Sequence, residues 1–462
     1  MRITLSKSFV TVSDVTDRTR QVAEAFGLGL DTRREFPVLA NVEVDLRPGD
    51  ICFIVGASGG GKSTLLRMLG EEVQRAGIFG PVRHSGDIQI PEDEILIHGA
   101  GQSFEAALRN LSLTGLNDAF VLIRRVAELS DGQRYRFRLA KLLASNARVW
   151  VVDEFLSTLD RDTAKAVAYC VQKVARRERR TLIAATTHAD LVADLNPSIL
   201  VRKGFGAEAH VEYRTPTPAS EHRCSLTHDI TIAPGSPADY HVLEAFHYRA
   251  TLPLATRFIY VMRHHDRVIG AIAYANSPLQ AKGRNLYLGY APSPDEVNRD
   301  FLTISRVVLH PTYRALGLGA RLVRETLARV ERKYVETMAV MARFNPFFAK
   351  AGMTRVNGVS DTNACRAMLE EVLARGVDPR RGGDFVEELQ RLDEERYAPL
   401  VAFVASHTPY FVLAGVYGHR QPLDRAKVVE DLRNRDVMAR VLTELAIQAQ
   451  EKAYYIWRNP AL

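Results

Sequence analysis

Residues 51–64 read Ile-Cys-Phe-Ile-Val-Gly-Ala-Ser-Gly-Gly-Gly-Lys-Ser-Thr, a strand-type apolar run leading into a G-x-x-x-x-G-K-S loop, and the helical Leu65–Leu69 follows. This loop constrains the fold because its glycines must wrap between a strand and a helix, turning successive backbone N–H groups toward phosphate oxygens. The helix N-terminus adds its positive end. In that frame Gly56, Ser58, Gly59, Gly61 and Thr64 form a phosphate cradle, Lys62 reaches the β- and γ-phosphates, and the Ser63 hydroxyl is a magnesium ligand. A second apolar run, Val149–Val152, ends in Asp153-Glu154. Two carboxylates at a strand end suit nucleotide hydrolysis, with Asp153 holding the magnesium shell and Glu154 polarising the attacking water.

Further segments fall in order around these. Leu129-Ser130-Asp131-Gly132-Gln133 opens a helix on a natural cap, and in this setting the chain resembles the ABC-type ATPases, with Asp131 where glycine is commoner in the signature. By the same resemblance Gln102 is the Q-loop and a magnesium ligand, Ser157–Asp160 the D-loop, His188 the switch histidine after the strand Leu182–Thr186, and Phe36 the aromatic on adenine. The resemblance implies an α/β P-loop ATPase domain over residues 1–205, with ATP and Mg2+ as cofactors. It also implies a head-to-tail homodimer in which Ser130, Gly132 and Gln133 of one copy close over the γ-phosphate on Lys62 of the other. The segment from Gln102 to Leu129 is short beside transporter members and looks more like soluble branches that work on nucleic acids.

Residues 206–224 are rich in Gly, Pro, Thr, Ser and Glu and read as a linker. An α+β series follows: a strand at Asp229–Ala233, a helix at Ala238–His247, then a hairpin of Arg257–Arg263 and Arg267–Ala275 around the solvated turn His264-His265-Asp266. Next the strand Ile304–Pro311 feeds Arg314-Ala-Leu-Gly317-Leu-Gly319-Ala320 and an amphipathic helix, Arg321–Val330, again an anion site at a helix start. This stretch, with the strand Thr337–Arg343 and the segment Asn345–Met353, resembles the GNAT acetyltransferases over about residues 225–361. The resemblance implies acetyl-CoA or another acyl-CoA as cofactor, held at Arg314, Gly317, Gly319, Ala320 and Asn345. A backbone N–H near Val308 or Leu309 would face the thioester oxygen. Phe348 stands where many members place a proton-donating tyrosine, and a phenyl ring has no proton to give. His247 and Tyr248 are the candidates for proton transfer. Phe246-His247-Tyr248 with Ser305-Arg306 also resembles the phage Mom-type DNA-modification proteins.

Residues 362–462 read as a mainly helical C-terminal region, with helices at Ala364–Arg375, Asp384–Tyr397, Leu423–Asp431 and Arg435–Ile456. Aromatics at its end, Tyr454 to Trp457, either pack on a neighbouring domain or stack on bases. The uncharged stretch Tyr397–Gly418 is interrupted by Ser406, His407, Thr408 and Pro409, which argues for buried helices over a membrane span. No apolar leader precedes Asp14, Asp17 and Glu24, and the four cysteines are scattered, so a cytoplasmic setting is expected. With 46% hydrophobic and 25% charged residues the chain can bury real cores, and its net charge of +7 permits a nucleic-acid partner without requiring one. Three functions compete: ATP-dependent acylation of a nucleic acid, acylation of protein lysines or a small amine, and a non-catalytic acyl-CoA sensor that gates an ATPase.

Overall fold

A computed structural model describes residues 1–11, 14–27, 34–246, 252–340, 344–358, 362–417, 424–450 and 452–462. Its strands are β1 (Arg2–Thr11), β2 (Arg34–Asp45), β3 (Ile51–Val55), β4 (Val82–His84), β5 (Val149–Val152), β6 (Thr181–Thr186), β7 (Ile199–Lys203), β8 (Ala209–Tyr213), β9 (Ile230–Pro234), β10 (Thr256–His264), β11 (Arg267–Asn276), β12 (Phe301–Leu309), β13 (Tyr334–Ala339), β14 (Thr354–Val356) and β15 (Ala453–Arg458). They form an antiparallel β1-β2 ribbon, a sheet ordered β4-β5-β6-β3-β7-β8 and a sheet ordered β14-β15-β13-β12-β11-β10-β9. The chain divides into two compact units. One comprises Met1–Leu252, Ile259–Ile272 and Val307–Leu322; the other comprises Pro253–Phe258, Ala273–Arg306 and Val323–Leu462.

In the first unit β3, β5 and β6 are buried along their whole length. Continuous apolar strands of this kind suit a parallel sheet covered on both faces, and β4, β5, β6, β3 and β7 pair in parallel. One face packs Phe53, Trp150, Phe155 and Val167, the other Cys52, Ile54, Leu65 and Leu69. All four cysteines are free and buried; burial pushes the Cys52 and Cys170 thiols up to about 12.

In the second unit the helices between Thr362 and Gln448 share their own core, which includes Val372, Phe385, Val404 and Leu442. The helices Glu394–His407 and Tyr410–Tyr417, which span most of the uncharged stretch, meet at 107°, and no single helix among the described residues is long and apolar enough to cross a membrane. The structure corrects the sequence reading twice here. The helix expected over Asp384–Tyr397 breaks at Leu392, and Asp393 caps a new helix at Glu394. The helix expected from Arg435 to Ile456 stops at Gln448, and Ala453–Arg458 is strand β15, set between β13 and β14. Alternating Tyr, Ile and Trp fit a pleated surface better than a helix, and the ladder to β13 runs from Tyr334↔Arg458 to Ala339↔Ala453.

Beneath that strand lies a buried ion pair. Arg284 and Glu336 meet at 2.6 Å with 0% and 2% exposure. The remaining Arg284 donors reach the carbonyls of Pro278 and Leu279, and the Tyr454 hydroxyl donates to Glu336. A buried pair this fully hydrogen-bonded offsets its desolvation, whereas one with a partner removed would not.

Candidate functional sites

The P-loop joins β3 to the helix Lys62–Ala76, whose cap is Gly61 at φ 86°. A side chain at Gly61 would meet Val38 at 2.5 Å, and one at Gly56 would sit 1.8 Å from the Lys203 carbonyl oxygen. Backbone and loop therefore touch where only glycine fits. Lys62 is 9% exposed and its Nζ donates to the Ala57 carbonyl at 2.7 Å. Burial lowers its pKa, while Asp153 and Glu154 act in the opposite direction.

A cavity of about 670 Å³ opens here, lined by Ser58, Gly59, Gly61, Lys62, Ser63 and Thr64 on one side and by Asp153, Glu154, Ser157 and His188 on the other. Glu154 and Leu156 both take left-handed backbone, φ 47° and 58°. Such strain persists only where surroundings hold it: the Phe155 N–H donates to the Ala185 carbonyl at 2.7 Å, and the Leu156 N–H to the Tyr135 hydroxyl at 2.9 Å. A hydroxyl from Ser63 and a carboxylate from Asp153 beside a phosphate-shaped loop fit magnesium bound together with a nucleotide, the phosphates supplying further oxygens.

Other expected residues fall elsewhere. Phe36 does not line this cavity; Phe9, its cross-strand partner in the β1-β2 ribbon, does. That pairing is a long-range register that no local pattern reveals. Gln102 is exposed, just before the helix capped by Ser103, and outside the cavity lining. Ser130 and Gln133 form a reciprocal capping box at the start of the helix Asp131–Ala144, likewise away from this chain's own cavity.

The second cradle follows β12. Ala315 and Gly317 are left-handed, φ 63° and 83°, and the helix Leu318–Leu327 begins directly after them. Alternation of this kind makes a concave row of backbone donors, so this loop and helix start can hold a pyrophosphate. Gly319 and Ala320 lie in that first turn. The Arg314 guanidinium donates to the carbonyls of Leu309 (3.0 Å), Asn117 (2.8 Å) and Phe246 (2.8 Å), so it anchors the loop. The parallel ladder of β12 with β13 runs over Phe301–Thr303 against Tyr334–Glu336, and Thr337 Oγ1 then donates to the Ile304 carbonyl at 3.0 Å. Val308 is buried and Leu309 partly so, both beyond that ladder. Asn345 is exposed, and Phe348 is a 6% exposed core ring with its centroid 5.8 Å from that of Tyr455. His247 and Tyr248 lie outside the described residues.

A P-loop ATPase site and a second, acyl-CoA type of phosphate cradle thus stand on one chain. The chain belongs to the ABC family of ATPases and carries a GNAT acetyltransferase domain. The family described as "ABC transporter" matches residues 39–100, and the family described as "Acetyltransferase (GNAT) family" matches residues 225–353. The cytochrome c biogenesis ATP-binding export protein CcmA of Ruegeria pomeroyi is 32% identical over 35% of this chain and 83% of its own length. Methionine import ATP-binding proteins MetN of Clostridium tetani and Bartonella henselae are 26% and 28% identical over 42% and 37% of this chain and 69% and 58% of their own. A dimeric ATP-binding cassette, MJ0796, bound to ADP and Pi aligns with 17% identity and a TM-score of 0.35 over 47% of this chain and all of its own. The families imply ATP with magnesium, and an acyl-CoA, as cofactors.

Proposed function

We propose that this protein is an ATP-dependent acyltransferase that moves an acyl group, acetyl first, from acyl-CoA to an amine on a nucleic acid, with a head-to-tail dimer of its ATPase domains as a clamp. The observation that carries the reading is the presence of two strand-loop-helix phosphate cradles on one chain. The clamp is supported by Ser130, Gly132 and Gln133, which share one helix start outside the chain's own nucleotide cavity. The net charge of +7 supports a polyanionic acceptor.

In the ATPase half, Lys62 leaves the Ala57 carbonyl for the phosphates, Glu154 orients water, and His188 contacts the γ-phosphate. Magnesium, when bound at Ser63 and Asp153, would neutralise charge developing on the phosphates. In the acyltransferase half, the acceptor nitrogen forms its bond to the thioester carbon as the C–S bond breaks. A backbone N–H near Val308 or Leu309 faces the oxyanion. A base such as His247, or water, takes the ammonium proton, and the departing thiolate gains one from outside Phe348.

Phe348 favours a second reading, a non-catalytic acyl-CoA sensor that gates the ATPase. Incubation of the full chain with labelled acetyl-CoA and ATP beside DNA, total RNA and protein separates these. Label on a nucleic acid is expected. Label on protein alone rejects the leading choice, and no label on any acceptor favours the sensor. Glu154→Gln should bind ATP and lose hydrolysis; a variant that still turns over removes Glu154 from its role.

A further inference from the structure

We infer that the nucleotide cavity and the 314–320 cradle are energetically coupled through the helix Arg161–Arg177, with Tyr313 as the joint. The inference rests on reading that cradle as the acyl-CoA phosphate site, and it adds the regulation of that site.

The path begins at the cavity itself. Ser157 and His188 both line it. Past Ser157 the chain reaches Asp160, which caps the helix by accepting from the Thr163 N–H at 2.9 Å. Burial works upward on the Asp160 carboxyl, but the Thr163 backbone and hydroxyl donors outweigh it and hold the group below the ordinary range. Beyond His188, Asp190 takes a two-pronged contact from Arg161, the first residue of the same helix, at 3.1 and 2.6 Å. Such a fork fixes orientation as well as distance. One helix start is therefore tied to both segments that border the nucleotide.

That start is also tied to the second cradle. The Tyr313 hydroxyl donates to Asp162 at 3.2 Å and accepts from His264 Nδ1 at 3.1 Å, an arrangement that requires the Nδ1–H tautomer. Thr312 and Thr163 hydroxyls meet at 3.3 Å. Tyr313 is fully buried and immediately precedes Arg314, the loop's anchor. A second strut runs from Asn117, which donates to the Pro311 carbonyl at 3.3 Å and accepts from Arg314 through its own carbonyl. A displacement of the helix start by nucleotide would have to move Tyr313 or break these bonds, because packed polar contacts have discrete arrangements.

Coupling of this kind is reciprocal and measurable. Titration calorimetry on the full chain, with CoA and with magnesium AMP-PNP, each alone and in the presence of the other, gives the factor. We expect each ligand to change the Kd of the other by the same factor, about fivefold or more. In Tyr313→Phe combined with Asn117→Ala the factor should fall to within about twofold of unity, with the AMP-PNP Kd in the absence of CoA unchanged. Asp162→Ala, which removes the acceptor of the Tyr313 hydroxyl, tests the joint from the ATPase side if that pair does not fold. A factor of one in the unmodified chain overturns the coupling and leaves the proposed function standing. A factor that survives the substitutions overturns Tyr313 as the joint. Failure of CoA to bind at all overturns the cradle reading, and the coupling with it.

Discussion

Gly56 shows how little room a phosphate loop leaves. Its φ is 156° and a methyl group there would overlap the Lys203 carbonyl oxygen, while Lys203 is itself 1% exposed and bound through Nζ to the Gly204 and Gly206 carbonyls. Backbone cannot retreat as a flexible side chain can. Gly56→Ala should therefore cost about 1–3 kcal/mol in urea unfolding and abolish ATP retention. His310 illustrates a different constraint. Arg267 donates to its Nε2 at 2.9 Å, and burial, then the Arg267 and Arg314 charges, lower its pKa from 6.5. The unfolded chain thus binds the proton first. Stability is full above about 6.5 and falls as pH drops toward the depressed folded value. His310→Gln keeps an acceptor for Arg267 and removes the titration. From about pH 7.5 to about pH 5.5 the urea midpoint of wild type should fall relative to that of the variant.

Among elements, β15 has the most consequence for so short a segment. It covers Glu336, pairs with β13 and β14 on its two edges, and packs Tyr454 against Gly283, where any side chain would meet the ring at 2.3 Å. Tyr454→Phe keeps the ring and deletes the hydroxyl that donates to a buried carboxylate. An unfolding cost of about 1–3 kcal/mol is expected, read from urea midpoints; a neutral substitution would show that Arg284 alone satisfies Glu336. Helix starts in the ATPase half are, by contrast, local devices. Ser130 with Gln133 and Asp160 with Thr163 each settle their own first turn, and their cap patterns are visible in a few consecutive residues.

At the scale of the molecule, Thr354↔Ile456, Arg355↔Tyr455 and Val356↔Tyr454 pair antiparallel. The helices from 362 to 448 are therefore inserted between two hairpin partners and are not a tail appended to a finished sheet. Because those helices bury a core of their own, replacing residues 358–452 with an Asn-Gly turn should leave a cooperatively folding chain that still hydrolyses ATP. Loss of cooperative unfolding would show that the bundle and the sheet are interdependent. Truncation after residue 361, which removes β15, should instead expose Glu336 and yield insoluble protein.

Much of this is legible in the sequence. The Gly56–Ser63 loop, Asp153-Glu154, the Ser130 cap and the Gly317 turn are each set by neighbours within a few residues, since phosphate binding and helix capping are chemistry of consecutive backbone groups. What tertiary structure alone decided lies in pairings distant in sequence. Phe9, opposite Phe36 in the ribbon, lines the nucleotide cavity. Arg314 turns to carbonyls because Asn117 and Phe246 pack around it. Tyr454 to Trp457 form a strand because β13 and β14 offer open edges, and no local periodicity records which edges are open.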